Sequence, residues 1–160
     1  MQICHPVPAR SAGFSLLEII VALAVAMLIL GGAVLTITPV NDEHQIRRTG
    51  GKIETTARKA LIEAGTENRT ALIVVGRDCL EDETSGAEWH WPEDIRILIR
   101  PPGNEKWQVP SAGGYPWRFF PQGICEPLAF RIESEAAEME FKIDPLTGEA
   151  REERVIVNAQ

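Results

Sequence analysis

Histidine and cysteine are scarce in this chain of 160 residues, with three of each, and familiar catalytic patterns are missing altogether. There is no Gly-x-Ser-x-Gly, no His-Glu-x-x-His, no glycine-rich phosphate loop and no cysteine set beside a histidine for nucleophilic attack. Carboxylates are plentiful, so pairs of them can be picked anywhere and single out no acid–base site. Enzymatic activity is therefore not expected, and neither is a cofactor. Basic residues lack any excess: 16 Lys and Arg stand against 23 Asp and Glu, a formal charge of −7. Phosphate binding needs clustered cations, so nucleic acid is not an expected partner. The cysteines lack the Cys-x-x-Cys or Cys/His spacing of a metal site, and no metal is expected.

Charge is also missing from one long segment, and there its absence is informative. Ile19 to Val40 holds 22 consecutive uncharged residues, and between Phe14 and Thr38 the one ionisable side chain is Glu18. As a helix, residues 14–38 extend about 37 Å at 1.5 Å per residue, enough to cross a hydrocarbon core of about 30 Å. A carboxylate in such a segment costs roughly 2.5 to 3.5 kcal/mol at mid-bilayer and less near the interface, so Glu18 calls for a partner. Ahead of the run lies a short polar leader with one basic residue, Arg10, ending in Ser11, Ala12 and Gly13. A secretory signal has its small-residue site after the apolar region, whereas here that site precedes it.

Gly13-Phe14-Ser15-Leu16-Leu17-Glu18, placed directly before the span, resembles the type III signal of the type IV pilin and type II secretion pseudopilin superfamily. The resemblance implies that a prepilin peptidase cuts after Gly13 on the cytoplasmic side and methylates the new amino terminus at Phe14. Glu18 matches the family's glutamate, implied to pair with the positive amino terminus of a neighbouring subunit and so to act as an assembly determinant. It further implies a single-pass protein of the bacterial inner membrane with its head in the periplasm. The implied partners are other pilins or pseudopilins and the inner-membrane assembly platform. Four segments are expected: leader 1–13, transmembrane and assembly helix 14–38, amphipathic helix 39–67, and a β-rich head 68–160. The family's proline within the membrane helix has no match in place. Gly31-Gly32 lies earlier and Pro39 later, which leaves the position of any unwound segment open.

With Cys4 in the leader, Cys79 and Cys125 remain in a compartment where disulfides persist. They are either bridged, a long loop worth about 4 kcal/mol in the chain-entropy model, or buried as two free thiols.

Beyond the span, Pro39 marks an expected break, with Asn41 or Asp42 capping the next helix. Ile46, Ile53, Ala57, Ala60, Leu61 and Ala64 recur at helical spacing, which predicts an amphipathic helix to about Glu67, interrupted at Gly50-Gly51. From Thr70 the period changes. Residues 71–76 read as a strand, and Ile95, Ile97 and Ile99 alternate with Asp94, Arg96, Leu98 and Arg100 as in a half-buried strand. Residues 78–88 read as a solvated acidic loop in preference to a calcium site built from Asp78, Glu81, Asp82 and Glu83. Trp89-His90-Trp91 is expected to pack, although aromatics flanking a histidine can also contact a sugar or partner. Lys106 to Val109 is expected as a short strand.

Trp117 to Glu133 reads as a strand, an irregular turn and a returning strand. Its Phe120, Pro121, Gly123 and Pro127 are similar to the C-terminal region of the minor pseudopilin H (GspH/FimT-like) family. Glu138 to Asp144 and Arg151 to Val157 then form a hairpin about residues 144–148.

The expected fold is α+β, a long N-terminal helix packed on an antiparallel sheet or small sandwich. The resemblance implies a minor pseudopilin near the tip of a periplasmic pseudopilus that exports proteins and contacts secreted substrate. The alternative is a minor pilin of a type IV pilus, engaged in adhesion or DNA uptake.

Overall fold

The computed structural model describes residues 15–157, with backbone only at 30–41, 152, 153 and 157. Helix α1 runs from Leu16 to Glu67. The chain divides between Ile37 and Thr38 into two compact units. In the first, the described residues are helical from Leu16 onward.

Among its described residues the second unit contains the rest of α1 and nine strands. Ile46, Ile53, Ala57, Ala60 and Ala64 are buried, as their helical spacing predicts, and Leu61 packs beside them. The helix ends where Asn68 turns left-handed (φ 50°) and the Arg69 amide donates to the Ala64 carbonyl at 3.2 Å. This is the six-to-one bond of a Schellman stop. Three expectations about α1 are corrected. The helix is not broken at Pro39, since an internal proline forfeits one amide donor without forbidding the next turn. Asp42 does not cap it either: its Oδ2 accepts from the Ala136 amide at 3.1 Å, tying the helix to a strand turn. Nor do the glycines interrupt the helix. Gly50 is buried where a Cβ would come within 2.9 Å of Met139 Cε, so its role is close approach.

One sheet has five antiparallel strands in the order β3-β2-β1-β5-β6. These are β1 (Ala71–Val75), β2 (Cys79–Asp82), β3 (Ala87–His90), β5 (Tyr115–Phe120) and β6 (Ile124–Cys125). The other, also antiparallel, has the order β4-β7-β8-β9, from β4 (Arg96–Arg100), β7 (Ala129–Glu133), β8 (Ala137–Ile143) and β9 (Ala150–Val157). The α+β expectation holds, in the form of two sheets and one helix. Residues 78–88 are not a loop: they are mostly the β2–β3 hairpin. Acidic residues obscure its alternation, and Leu80 is its one fully apolar inward contact. The expected strand at 106–109 reduces to a single bridge between Ile99 and Gln108.

One core joins the buried face of α1 to both sheets. Trp117 stands at its centre, fully buried, with ring centroids 4.7 Å from Phe119 and 5.4 Å from Phe130; Phe130 in turn stacks on Phe141 at 5.5 Å. The indole nitrogen of Trp117 donates to the Glu126 carbonyl at 2.7 Å, so this large ring is buried with its polar group satisfied.

Candidate functional site

The first candidate site is the beginning of α1. Ser15 caps it: its Oγ accepts from the Leu17 amide at 3.2 Å, and its carbonyl accepts from the amides of Glu18 (3.0 Å) and Ile19 (3.3 Å). Glu18 therefore stands three residues past the cap, in the first turn, where a carboxylate meets the positive end of the helix dipole. Ser-Leu-Leu-Glu has the spacing of a capping box, a local reason for the glutamate beyond the pairing that the family resemblance implies. Every described side chain from Ser15 to Ile29 is exposed, including Leu16, Leu17, Met27, Leu28 and Ile29, each about 70% exposed or more. An apolar surface on all faces of a helix is costly in water and requires lipid or other helices around it. Among the described residues no helix is long and apolar enough to cross a membrane. The side chains of 30–38, and the expected cleavage and methylation pair Gly13 and Phe14, lie outside the described residues.

The second candidate is the outer face of the β2–β3 hairpin. Strand alternation turns Leu80, Asp82 and Trp89 inward, and Cys79, Glu81, Glu88 and His90 to the opposite face. That alternation also disposes of the calcium site, because Glu81 and Asp82 point to opposite sides. Asp82 is buried and fully engaged, accepting from the Thr84 and Ser85 amides at 2.9 and 3.3 Å and from Ser85 Oγ at 2.5 Å, with Lys59 Nζ at 3.7 Å. Burial pushes its carboxyl up. The Ser85 and Thr84 bonds and the Lys59 charge outweigh this, so the net shift is downward. Trp91 is buried, its indole nitrogen donates to the Gly76 carbonyl at 3.2 Å, and Trp89 meets it edge-on at 5.2 Å. The two tryptophans therefore pack, and His90 between them stays outside.

The register sets Cys79 directly opposite His90, and Glu81 opposite Glu88. Because the Trp91 amide donates to the Asp78 carbonyl, Cys79 and His90 form a non-hydrogen-bonded pair, in which side chains come closest. Donor atoms of Cys79, Glu88 and His90 all lie within 4.8 Å of one another, and His90 Nε2 is 3.5 Å from Glu88 Oε1. Burial pushes the Cys79 thiol up to about 11, helped by its hydrogen bond to Glu88 and the charges of Glu88, Glu81 and Asp78. Spacings of nine and eleven residues conceal this cluster in the linear sequence. The pairing of two short segments about the Ser85-Gly86 turn is the signal that would have revealed it.

Cys79 and Cys125 are both free thiols, which corrects the bridged alternative. Two strands, β1 and β5, lie between β2 and β6. At about 4.8 Å per strand the cysteines stand about 14 Å apart, twice the reach of about 7 Å that a disulfide allows. Cys125 is buried, and its thiol is pushed up to about 11 chiefly by that burial, with the charge of Asp144 adding to it.

The stretch holding Phe120, Pro121, Gly123 and Pro127 is the corner at which the chain leaves the first sheet for the second. The Gly123 amide closes a turn onto the Phe120 carbonyl at 3.1 Å with φ 78°, a conformation suited to glycine. The Cys125 amide donates to Pro145 at 2.8 Å, and Arg118 pairs with Glu126 at 3.2 Å. Its contacts are those of a structural joint.

Residues 8–34 match the family model described as the prokaryotic N-terminal methylation motif. The match includes Gly13, Phe14 and Glu18 and most of the apolar run. This is the signature of type IV pilins and pseudopilins; it implies processing by prepilin peptidase, assembly with other pilins and a membrane anchor. No curated protein and no solved structure matches the chain.

Proposed function

We propose that this chain, bearing the pilin-type signature, is a minor pseudopilin of a type II secretion system. It is cut after Gly13, methylated at Phe14 and built into a periplasmic pseudopilus at or near the tip. The observation that carries this reading is the methylation motif, residues 8–34, spanning the capped start of a helix whose described apolar side chains are exposed on all faces. Such a helix suits burial first in the inner membrane and then among the helices of a filament. Glu18 then has two roles in turn: completing the helix start in the free subunit, and pairing with the amino terminus of a neighbour on assembly. In this role the protein is structural and its head, facing the periplasm, contacts other pseudopilins or exported protein. The acidic balance of the sequence, −7 overall, weighs against the DNA-uptake form of the alternative reading, a minor pilin of a type IV pilus.

Intact-mass and N-terminal peptide analysis of membrane-extracted protein tests the reading, using cells with and without prepilin peptidase. We expect an N-methylated Phe14 terminus that disappears without the peptidase. A leader retained in both strains overturns it.

A further inference from the structure

We propose that Cys79, Glu88 and His90 form a binding site for one Zn²⁺ ion on the outer face of the β2–β3 hairpin. Three observations carry this. The donor set is a thiol sulfur, an imidazole nitrogen and a carboxylate oxygen, the three ligand types that zinc takes in proteins. The donors already converge. Bond lengths of about 2.0 to 2.3 Å place neighbouring ligands of a tetrahedral zinc about 3.4 to 3.7 Å apart; His90 Nε2 and Glu88 Oε1 stand at 3.5 Å, and all three donors lie within 4.8 Å. Finally, the scaffold is rigid where it needs to be. Cys79 and His90 are a cross-strand pair on hydrogen-bonded strands, and Glu88 lies two residues from His90 on the same face.

The surroundings favour a cation. Glu81, paired with Glu88, and Asp78, next to Cys79, act on the same sulfur, so the face is electronegative. Gly76 leaves room behind the sulfur: a Cβ there would lie 3.4 Å from Cys79 Sγ and 2.9 Å from the Cys79 carbonyl oxygen. Glu88 and His90 are exposed and can swing by the small distance that closure requires. On binding, the thiol gives its proton to solvent and the thiolate takes the metal, while Glu88 exchanges the thiol's hydrogen bond for a metal bond. Three protein ligands leave a fourth position, open on the outer face, for water. The ion joins both strands of a hairpin at the edge of its sheet. The proposal does not rest on the assignment to a secretion system, because it uses head residues alone.

The test uses the full chain in detergent, carrying a tag without histidine, with Zn²⁺ and Co²⁺ as probes. We expect one Zn²⁺ per chain in competition with a chromophoric chelator. Bound Co²⁺ should show sulfur-to-metal charge-transfer absorption in the near ultraviolet. Cys79→Ser should abolish that absorption, Glu88→Gln and His90→Gln should each weaken Zn²⁺ binding at least about tenfold, and Cys125→Ser should change neither readout. The ligands lie on an outer face, so the metal-free variants should melt with the parent chain. The proposal is overturned by an absence of charge-transfer absorption in the parent chain. It is equally overturned if Cys79→Ser or His90→Gln, folded as the parent, binds Zn²⁺ with unchanged affinity.

Discussion

Asp82 carries more than its place in an acidic stretch suggests. Its carboxylate organises the turn between β2 and β3 through three hydrogen bonds from Thr84 and Ser85, and it reaches Lys59 on α1. Removing it leaves two amides without partners in a part-buried turn, so Asp82→Ala should lower stability by about 1 to 3 kcal/mol. The pH dependence follows from the direction of its shift. The folded-state pKa lies below the unfolded value of about 3.9, so the contribution is present above that pH and lost as pH falls through the folded-state pKa. Denaturant midpoints measured near neutrality and at about pH 3 should show a smaller acid-induced loss in Asp82→Asn than in the parent chain. Equal losses in the two would mean that other carboxylates govern the acid response.

Among the elements, α1 shows best how one sequence feature acquires two meanings. Gly50 and Gly51 look alike as a pair of helix-weakening residues, yet Gly50 lies against Met139 and Phe141 of β8 while nothing lies within 4 Å of a Cβ at Gly51. Substitution should therefore have opposite signs at neighbouring positions. Gly51→Ala should stabilise by up to about 1 kcal/mol through helix propensity, whereas Gly50→Leu should destabilise by about 1 to 3 kcal/mol through overpacking. Thermal melts of the two variants check this, and stabilisation by both would show that the glycines act only through backbone entropy. What could be read from the sequence follows the strength of periodicity. Ile46, Ile53 and Ala57 betray the buried stripe of α1, because side-chain burial enforces the period, and Ile97 and Ile99 betray β4, in which Leu98 between them is buried as well. The β2–β3 hairpin was hidden because its outward positions and its buried Asp82 are polar alike, and with it the convergence of Cys79, Glu88 and His90. Two residues nine or more apart become neighbours only through register, which hydropathy does not encode when both faces of a strand look polar. The capping role of Ser15 was legible in Ser-Leu-Leu-Glu but was overshadowed by the demand that Glu18 find a partner.

At the level of the whole molecule, the two ends of the chain have opposite demands on solvent. Among the described residues, every buried apolar side chain lies at Ile46 or beyond, so the core belongs entirely to the unit that begins at Thr38. The described side chains of the other unit, Ser15 to Ile29, are all exposed. The acidic balance of the sequence, −7 overall, suits a head that stays in water. A hydrophobic segment whose described side chains are all exposed should be removable without unfolding the core, while its presence should hold the protein at a membrane. A chain beginning at Thr38 should therefore appear in the soluble fraction and unfold in one cooperative transition, since Trp117, Phe119, Phe130 and Phe141 form a single aromatic cluster across both sheets. The full chain should remain with membranes through an alkaline wash and leave them only in detergent. Fractionation followed by thermal unfolding separates the outcomes. If the full chain washes off, the apolar run is not an anchor. If the shortened chain fails to fold, the first unit supplies something that the burial pattern does not reveal.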